Sequence, residues 1–284
     1  MTTLITGATG NLGALAVEHV LQRVPAGDLV VSVRDPEKAA GLAERGVEVR
    51  RGDFEEPESL DFTGIDQMLL ISVDGPDKVR ATRQVNALRA AQDAGVGRIV
   101  YTSVVDAPTS TLALAGVHRA TEELIRATGI PFTFLRNAMY TDNFVPSLLL
   151  GALEHGVLAG ATGDGRNATA SRADLALAAA VVLTTEGHEN TVYELTGPTA
   201  WTFTELAELT SRISGKPLIH QEITTAELAT GLRGAGLPEH VIGAFTDMQN
   251  VVRTGTLATV HPDLGKLIGH RPASIEDSIR LALS

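Results

Sequence analysis

Cysteine does not occur in the 284-residue chain, which excludes disulfide stapling, thiolate metal sites and a cysteine nucleophile, and makes the reducing cytoplasm the expected compartment. Positive charge is scarce as well: 23 Lys and Arg face 34 Asp and Glu, a formal net charge of -11. Such a surface repels phosphate backbones and anionic lipid, so neither nucleic acid nor a membrane is an expected partner. Long apolar runs are missing, and a stretch such as Leu175–Leu183 falls far short of the roughly 20 residues that cross a bilayer. The chain also opens without a basic segment followed by an apolar one, so no leader is expected. No H-E-x-x-H spacing links any of the 8 histidines, and without cysteine no metal site is expected. Ser103 lies in Thr-Ser-Val and not in a G-x-S-x-G elbow, which leaves a serine hydrolase without support.

What is present is a large apolar share, 44% hydrophobic against 20% charged, enough for a substantial core. Thr3–Thr6 reads as a short strand running into a glycine turn, and Leu12–Arg23 then carries helical spacing. Strand-like runs at Leu29–Val33, Val47–Arg50, Gln67–Ser72, Arg98–Thr102 and Pro131–Leu135 alternate with helical stretches at Pro36–Arg45, Lys78–Ala94 and Ala113–Thr128. This alternation predicts an α/β class with a doubly wound parallel sheet, the Rossmann fold. Beyond residue 150 the pattern changes: Gly160–Ser171 reads as a loop, Arg172–Leu183 as an alanine-rich helix, Val192–Thr196 and Leu218–Ile223 as strands, and Thr202–Ser214 as a helix opened by a capping box. We therefore expect residues 1–153 to form a nucleotide-binding domain and 154–284 a smaller α/β cap, with 172–196 packing back on the sheet.

The chemistry starts at Gly7-Ala8-Thr9-Gly10-Asn11-Leu12-Gly13, a G-x-x-G-x-x-G turn between a strand and a helix. Missing Cβ atoms let the backbone approach a pyrophosphate, and the helix N-terminus offers free N–H groups and a positive dipole. Gly7, Thr9, Gly10, Asn11 and Leu12 are thus the expected dinucleotide contacts. At the end of the second strand, where a carboxylate would bind ribose hydroxyls, the sequence has Arg34. A guanidinium there grips a 2'-phosphate bidentately, with Lys38 as a second charge, so NADP(H) is expected over NAD(H), although Asp35 could also turn inward. Asp53 is placed either to accept from the adenine amino group, with Phe54 lining the ring, or to cap its own loop.

Beyond these spacings the residues resemble a family, the NmrA-like atypical short-chain dehydrogenases/reductases. The match is strongest to their type 2 NAD(P)H:quinone oxidoreductases, with triphenylmethane reductases as relatives of the same architecture. It runs through Leu4–Gly10, Leu69–Ser72, Tyr101–Ser103, Leu135–Asn137 with Tyr140 and Asn143, Leu153–Gly156, Tyr193–Leu195 and Lys266–His270. The resemblance implies that Ile71 and Ser72 border the middle of the cofactor, Ser103 and Asn137 the nicotinamide ribose, and Tyr140 and Asn143 the substrate mouth. It also allows a homodimer.

The wider superfamily uses a tyrosine with a lysine four residues on, and none of Tyr101, Tyr140 or Tyr193 has that lysine. At the corresponding helix stand His118 and Glu122, four residues apart on one helical face, so His118 is a candidate ribose contact or proton relay, or simply a polar residue at the helix start. An acceptor that needs little acid help fits this departure: hydride addition to a quinone leaves a phenolate, whose conjugate acid has a pKa of about 10, whereas a ketone leaves a far more basic alkoxide. The expected function is NADPH-dependent reduction of a quinone or quinonoid aromatic. Two alternatives stand beside it: an NADP(H) sensor without catalysis, and a tailoring reductase of polycyclic aromatic quinones. An enzyme would need a cleft lined by Tyr140, Asn143, Phe144 and cap residues such as Trp201 or Phe245, with Trp201 alternatively in the core.

Overall fold

Both faces of the first strand are fully buried, with Leu4 turned to one side and Ile5 to the other, which demands helices above and below. The computed structural model, which describes residues 1–284 with the side chain of Leu150 excepted, supplies them. In chain order the elements are β1 (Thr3–Thr6), α1 (Asn11–Leu21), β2 (Leu29–Val33), α2 (Ala40–Glu44), β3 (Glu48–Arg51), β4 (Gln67–Leu70), α3 (Asp77–Asp93), β5 (Arg98–Val104), α4 (Ala115–Thr128) and β6 (Phe132–Asn137). Then follow α5 (Thr141–His155), β7 (Val157–Gly160), α6 (Arg172–Thr184), β8 (Thr191–Leu195), α7 (Phe203–Ser214), β9 (Ile219–Glu222), α8 (Thr225–Gly234), α9 (Glu239–Arg253), α10 (Asp263–Ile268) and α11 (Ile275–Ala282).

The main sheet has the order β3-β2-β1-β4-β5-β6-β8, all parallel, so the chain winds outward in one direction from β1 and then in the other from β4. That reversal between β1 and β4 opens a crevice at the carboxyl ends of the strands, the usual ligand position of such sheets. Ile5, Val31, Leu69, Val100 and Leu135 pack against α1 and the alanine-rich α6, while Leu4, Val30, Met68, Ile99 and Phe134 pack against α3 and α4. A third core joins α5, α7 and α11 around Trp201 and Phe203.

Three departures from the sequence reading have local causes. Pro36–Ala39 is a 3-10 turn capped by Asp35, and only Ala40–Glu44 is α-helical. β4 stops at Leu70 because side chains replace the ladder: the Ile71 amide donates to Thr6 Oγ1 at 3.0 Å and the Ser72 amide to Thr102 Oγ1 at 2.9 Å. β7 pairs in parallel with β9, an element hidden in the short Val-Leu-Ala-Gly run that follows the left-handed Gly156 cap. No helix among the described residues is long and apolar enough to cross a membrane.

Candidate active site

At the switch point β1 runs into Gly7, whose φ of +62° lies in the left-handed region that glycine tolerates. The Gly7 carbonyl accepts from the Gly10 amide at 2.9 Å, closing the turn, and a Cβ on Gly13 would sit 2.1 Å from that carbonyl oxygen. Gly13 therefore lets α1 close onto the turn. Thr9, Gly10 and Asn11 are exposed on its crest, Leu12 is buried beneath, and the amides of Asn11 and Leu12 have no partner among the described residues. These bare amides at the positive end of α1 suit a diphosphate. Ile71 faces the turn across the crevice, 3.7 Å from the position of a Gly7 Cβ.

On the adenosine side, Arg34 is exposed and makes no ion pair or hydrogen bond among the described residues. Asp35 is committed elsewhere, since its Oδ1 accepts from the Glu37 amide at 3.2 Å, so it does not turn inward. Lys38 is an exposed surface lysine, 3.8 Å from Asp35 Oδ2. Asp53 takes the loop-capping role, accepting from the Glu55 amide at 2.9 Å, while Phe54 is half-buried and packs on the second core. Its carbonyl is held by Asn86 Nδ2 at 2.8 Å.

On the far side of the crevice β6 ends in Asn137, whose Oδ1 is buried without a partner and whose Nδ2 lies 3.4 Å from the Tyr140 hydroxyl. An orphaned buried acceptor at the carboxyl end of β6 fits a hydroxyl-bearing ligand such as a nicotinamide ribose. Burial raises the Tyr140 pKa, and the charge of Asp74 adds to it against the opposing effects of Asn137 and Arg172, so the hydroxyl keeps its proton. The segment 139–141 is stitched to Ala170, which accepts from the Thr141 amide at 2.9 Å and donates to the Met139 carbonyl at 3.1 Å. This stitching carries Arg172, at the start of α6, across the Tyr140 ring, its Cζ 5.9 Å from the centroid, and Arg172 Nη2 donates to Asn143 Oδ1. A guanidinium only donates, so the Asn143 oxygen must face it and the Asn143 amide N–H groups are left for the mouth.

Arg172 escaped the sequence reading; its one signal was an arginine directly after the helix-capping Ser171. Two aromatics named for the mouth lie elsewhere. Phe144 belongs to the main core, and Trp201 is 3% exposed, donates from Nε1 to Thr169 Oγ1 at 2.9 Å and packs on Phe203.

His118 is also corrected. It faces inward, with Nδ1 2.8 Å from the Tyr101 hydroxyl and Nε2 3.2 Å from Arg80 Nη2. Arg80 and Gln84 each donate to Ser72 Oγ at 3.2 Å, so this buried net ties the Ser72 loop to α4. Burial, helped by the Arg80 charge, brings the His118 pKa from 6.5 down to about 3. A neutral ring beside a cation must offer Nε2 as acceptor and carry its proton on Nδ1, which leaves nothing to deliver to a substrate. Between those two pKa values the unfolded chain binds a proton that the folded chain refuses. Stability is therefore full above pH 6.5 and declines as the pH falls toward about 3, by about 1.4 kcal/mol per unit. His118→Gln removes this slope: urea unfolding at about pH 7 and about pH 5.5 should show the wild type losing roughly 1.4 kcal/mol more than the variant. Equal losses would contradict the assignment.

Glu122 lies one turn further on, 3% exposed at its side chain, and forms a bidentate pair with Arg136, with Nε to Oε1 at 2.9 Å and Nη2 to Oε2 at 2.7 Å. Ser103 donates its hydroxyl to the same carboxylate at 2.7 Å, which commits that hydroxyl to the interior. Arg136 continues to Glu194 at 2.8 Å, whose other oxygen accepts from the Asp106 amide at 2.8 Å. Burial acts to lower the Arg136 pKa, and its bonds to Glu122 and Glu194 outweigh that and raise it. Glu122, on the helix where the resemblance sets the superfamily's lysine, is thus held in a structural ion pair.

With this geometry in place, a family model described as NAD(P)H-binding matches residues 7–186. Quinone oxidoreductase 2 of Escherichia coli (strain K12) is 42% identical over 277 residues, 97% of this chain and 96% of that protein. The Citrobacter sp. triphenylmethane reductase complexed with NADP(H) superposes with a TM-score of 0.96 at 42% identity, covering 99% of this chain and 100% of that one. The Escherichia coli NADPH-dependent quinone oxidoreductase complexed with NADPH also gives a TM-score of 0.96, at 40% identity over 100% of both chains. The fold, the glycine turn and these similarities together make the chain a member of the NAD(P)H-binding family, in its NmrA-like branch of atypical short-chain dehydrogenases/reductases.

Proposed function

We propose that this protein is an NADPH-dependent oxidoreductase that passes hydride to a quinone or quinonoid aromatic acceptor, with the region 154–284, apart from 172–196 on the main sheet, closing over the acceptor side. The observation that carries the reading is the mouth itself. The Asn143 amide N–H groups and the Arg172 guanidinium are donors held together beside the Tyr140 ring, whose protonated hydroxyl adds a third. Such a set suits a product oxygen that becomes negative, as in oxyanion holes. Bound reduced nicotinamide would supply the hydride, and Arg34, the Gly7–Leu12 turn and Asn137 would hold the cofactor that bears it. Tyr140 and Asn143, the latter oriented by Arg172, would then stabilise the hydroquinone monoanion, which water protonates once it leaves.

The names of the related quinone oxidoreductase and triphenylmethane reductase support an electron-poor conjugated acceptor. A sensor without catalysis has no use for three donors gathered beside the cofactor, and the buried Trp201 removes one wall that a large polycyclic substrate would need. Tyr140→Phe tests the reading: kcat for a small quinone should fall about 100-fold, the low end for one oxyanion donor, with NADPH affinity retained. An unchanged kcat would contradict it.

A further inference from the structure

Arg172 carries a charge that the site does not neutralise. Among the described residues no carboxylate oxygen lies within ion-pair distance of its guanidinium. Asp142, next to Asn143, is turned to the backbone instead, its Oδ2 accepting from the Arg172 amide at 2.8 Å. Asp74 acts on Tyr140 through its charge and does not pair with Arg172. The guanidinium is half-buried over the Tyr140 ring, with only Nη2 engaged, to Asn143. Its position is fixed by the Met139–Ala170–Thr141 stitching and by the Ser171 cap, whose hydroxyl accepts from the Asp174 amide at 3.1 Å. A planar cation with free N–H groups, stacked on an aromatic ring at the entrance, is built to receive a planar anion.

We propose that Arg172 is a specificity-determining residue that selects aromatic acceptors bearing an anionic substituent, a carboxylate or sulfonate on the ring system. The inference rests on the quinone reading above and adds the acceptor's charge class. A carboxylate on the far ring of a naphthoquinone would pair with the free guanidinium edge while the quinone oxygen meets Tyr140 and Asn143. A charge-assisted contact of this kind corresponds to about a tenfold gain in KM. It weakens with salt, because the guanidinium is open to solvent on one side.

The experiment compares 1,4-naphthoquinone-6-carboxylate with its carboxamide, two acceptors of similar shape that differ in charge, using the intact protein and NADPH. The wild type should favour the carboxylate about tenfold in kcat/KM, through KM, with the preference shrinking at high salt. Arg172→Met should bring the ratio near one, and Arg172→Lys should retain part of it. Releasing Asn143 slows both acceptors alike, so the ratio, and not either rate, reads the charge. Should Arg172→Met fail to fold, Arg172→Lys and the salt dependence of the wild-type ratio still decide the matter. Equal kcat/KM for the two acceptors in the wild type, or a preference that survives undiminished in Arg172→Met, would overturn the specificity claim alone. No turnover of either compound would overturn the quinone reading and this inference with it.

Discussion

Replacing Arg34 by Asp should weaken NADPH binding about 100-fold while leaving NADH within about threefold, because the guanidinium's charge-assisted contact with a 2'-phosphate is lost and a carboxylate is set against it. The structure narrows the alternatives. Arg34 stands exposed at the end of β2 with no internal partner, so its loss disturbs no fold contact. Asp35, the residue that would otherwise favour NADH, holds the first turn of Pro36–Ala39 through its contact with the Glu37 amide. Lys38 belongs to the same turn but is tied loosely to Asp35, and the effect of Lys38→Ala should be small beside that of Arg34. Fluorescence titration with the two nucleotides reads the ratio, and an equal loss of both would show that Arg34 acts on some common part of the cofactor.

Glu122→Gln should lower the melting temperature by roughly 6–10 °C, equivalent to roughly 3 kcal/mol, the lower range for breaking a buried ion pair. The variant keeps the shape of the side chain but leaves Arg136 buried with Glu194 as its remaining carboxylate. Glu122→Leu combined with Arg136→Met should recover part of the loss, because the buried guanidinium is then gone too, while Glu194 keeps the Asp106 amide. A double variant no more stable than Glu122→Gln would show that packing, and not charge, is at stake. Quinone turnover at a temperature where all variants are folded should remain, since Glu122 points into the interior and not into the crevice.

The glycine turn and Arg34 were legible from sequence because their geometry is local: strand, turn, helix and strand end fix them within a few tens of residues. Tyr140 and Asn143 came through resemblance, and no spacing in this chain would have singled them out. His118 and Glu122 show where local reasoning stops. Their four-residue separation places both on one face of a helix, but which face meets the sheet depends on Tyr101, Arg80 and Arg136, brought in by other elements. Both turned out to face the interior, where a polar side chain must be satisfied, so each found structural partners. Ser103 followed Glu122 inward for the same reason. Arg172 lies 29 residues from Asn143 and reaches it only through the bridge between Tyr140 and Ala170, a contact that no periodicity encodes. β7 was missed because Val-Leu-Ala-Gly is apolar or small throughout, so the alternating burial of its four residues leaves no mark in the sequence.

The central claim is that reduced nicotinamide lies beside a mouth furnished with donors but no strong acid, which suits an acceptor whose reduced oxygen is only weakly basic. The most direct test follows the loss of reduced-nicotinamide absorbance with NADPH and two acceptors, a small para-quinone and an unactivated ketone of similar size. The account predicts rapid oxidation of NADPH by the quinone and none measurable by the ketone. Ketone reduction at a comparable rate would reveal a strong proton donor that this account does not contain, and no oxidation with either would contradict catalysis at this site.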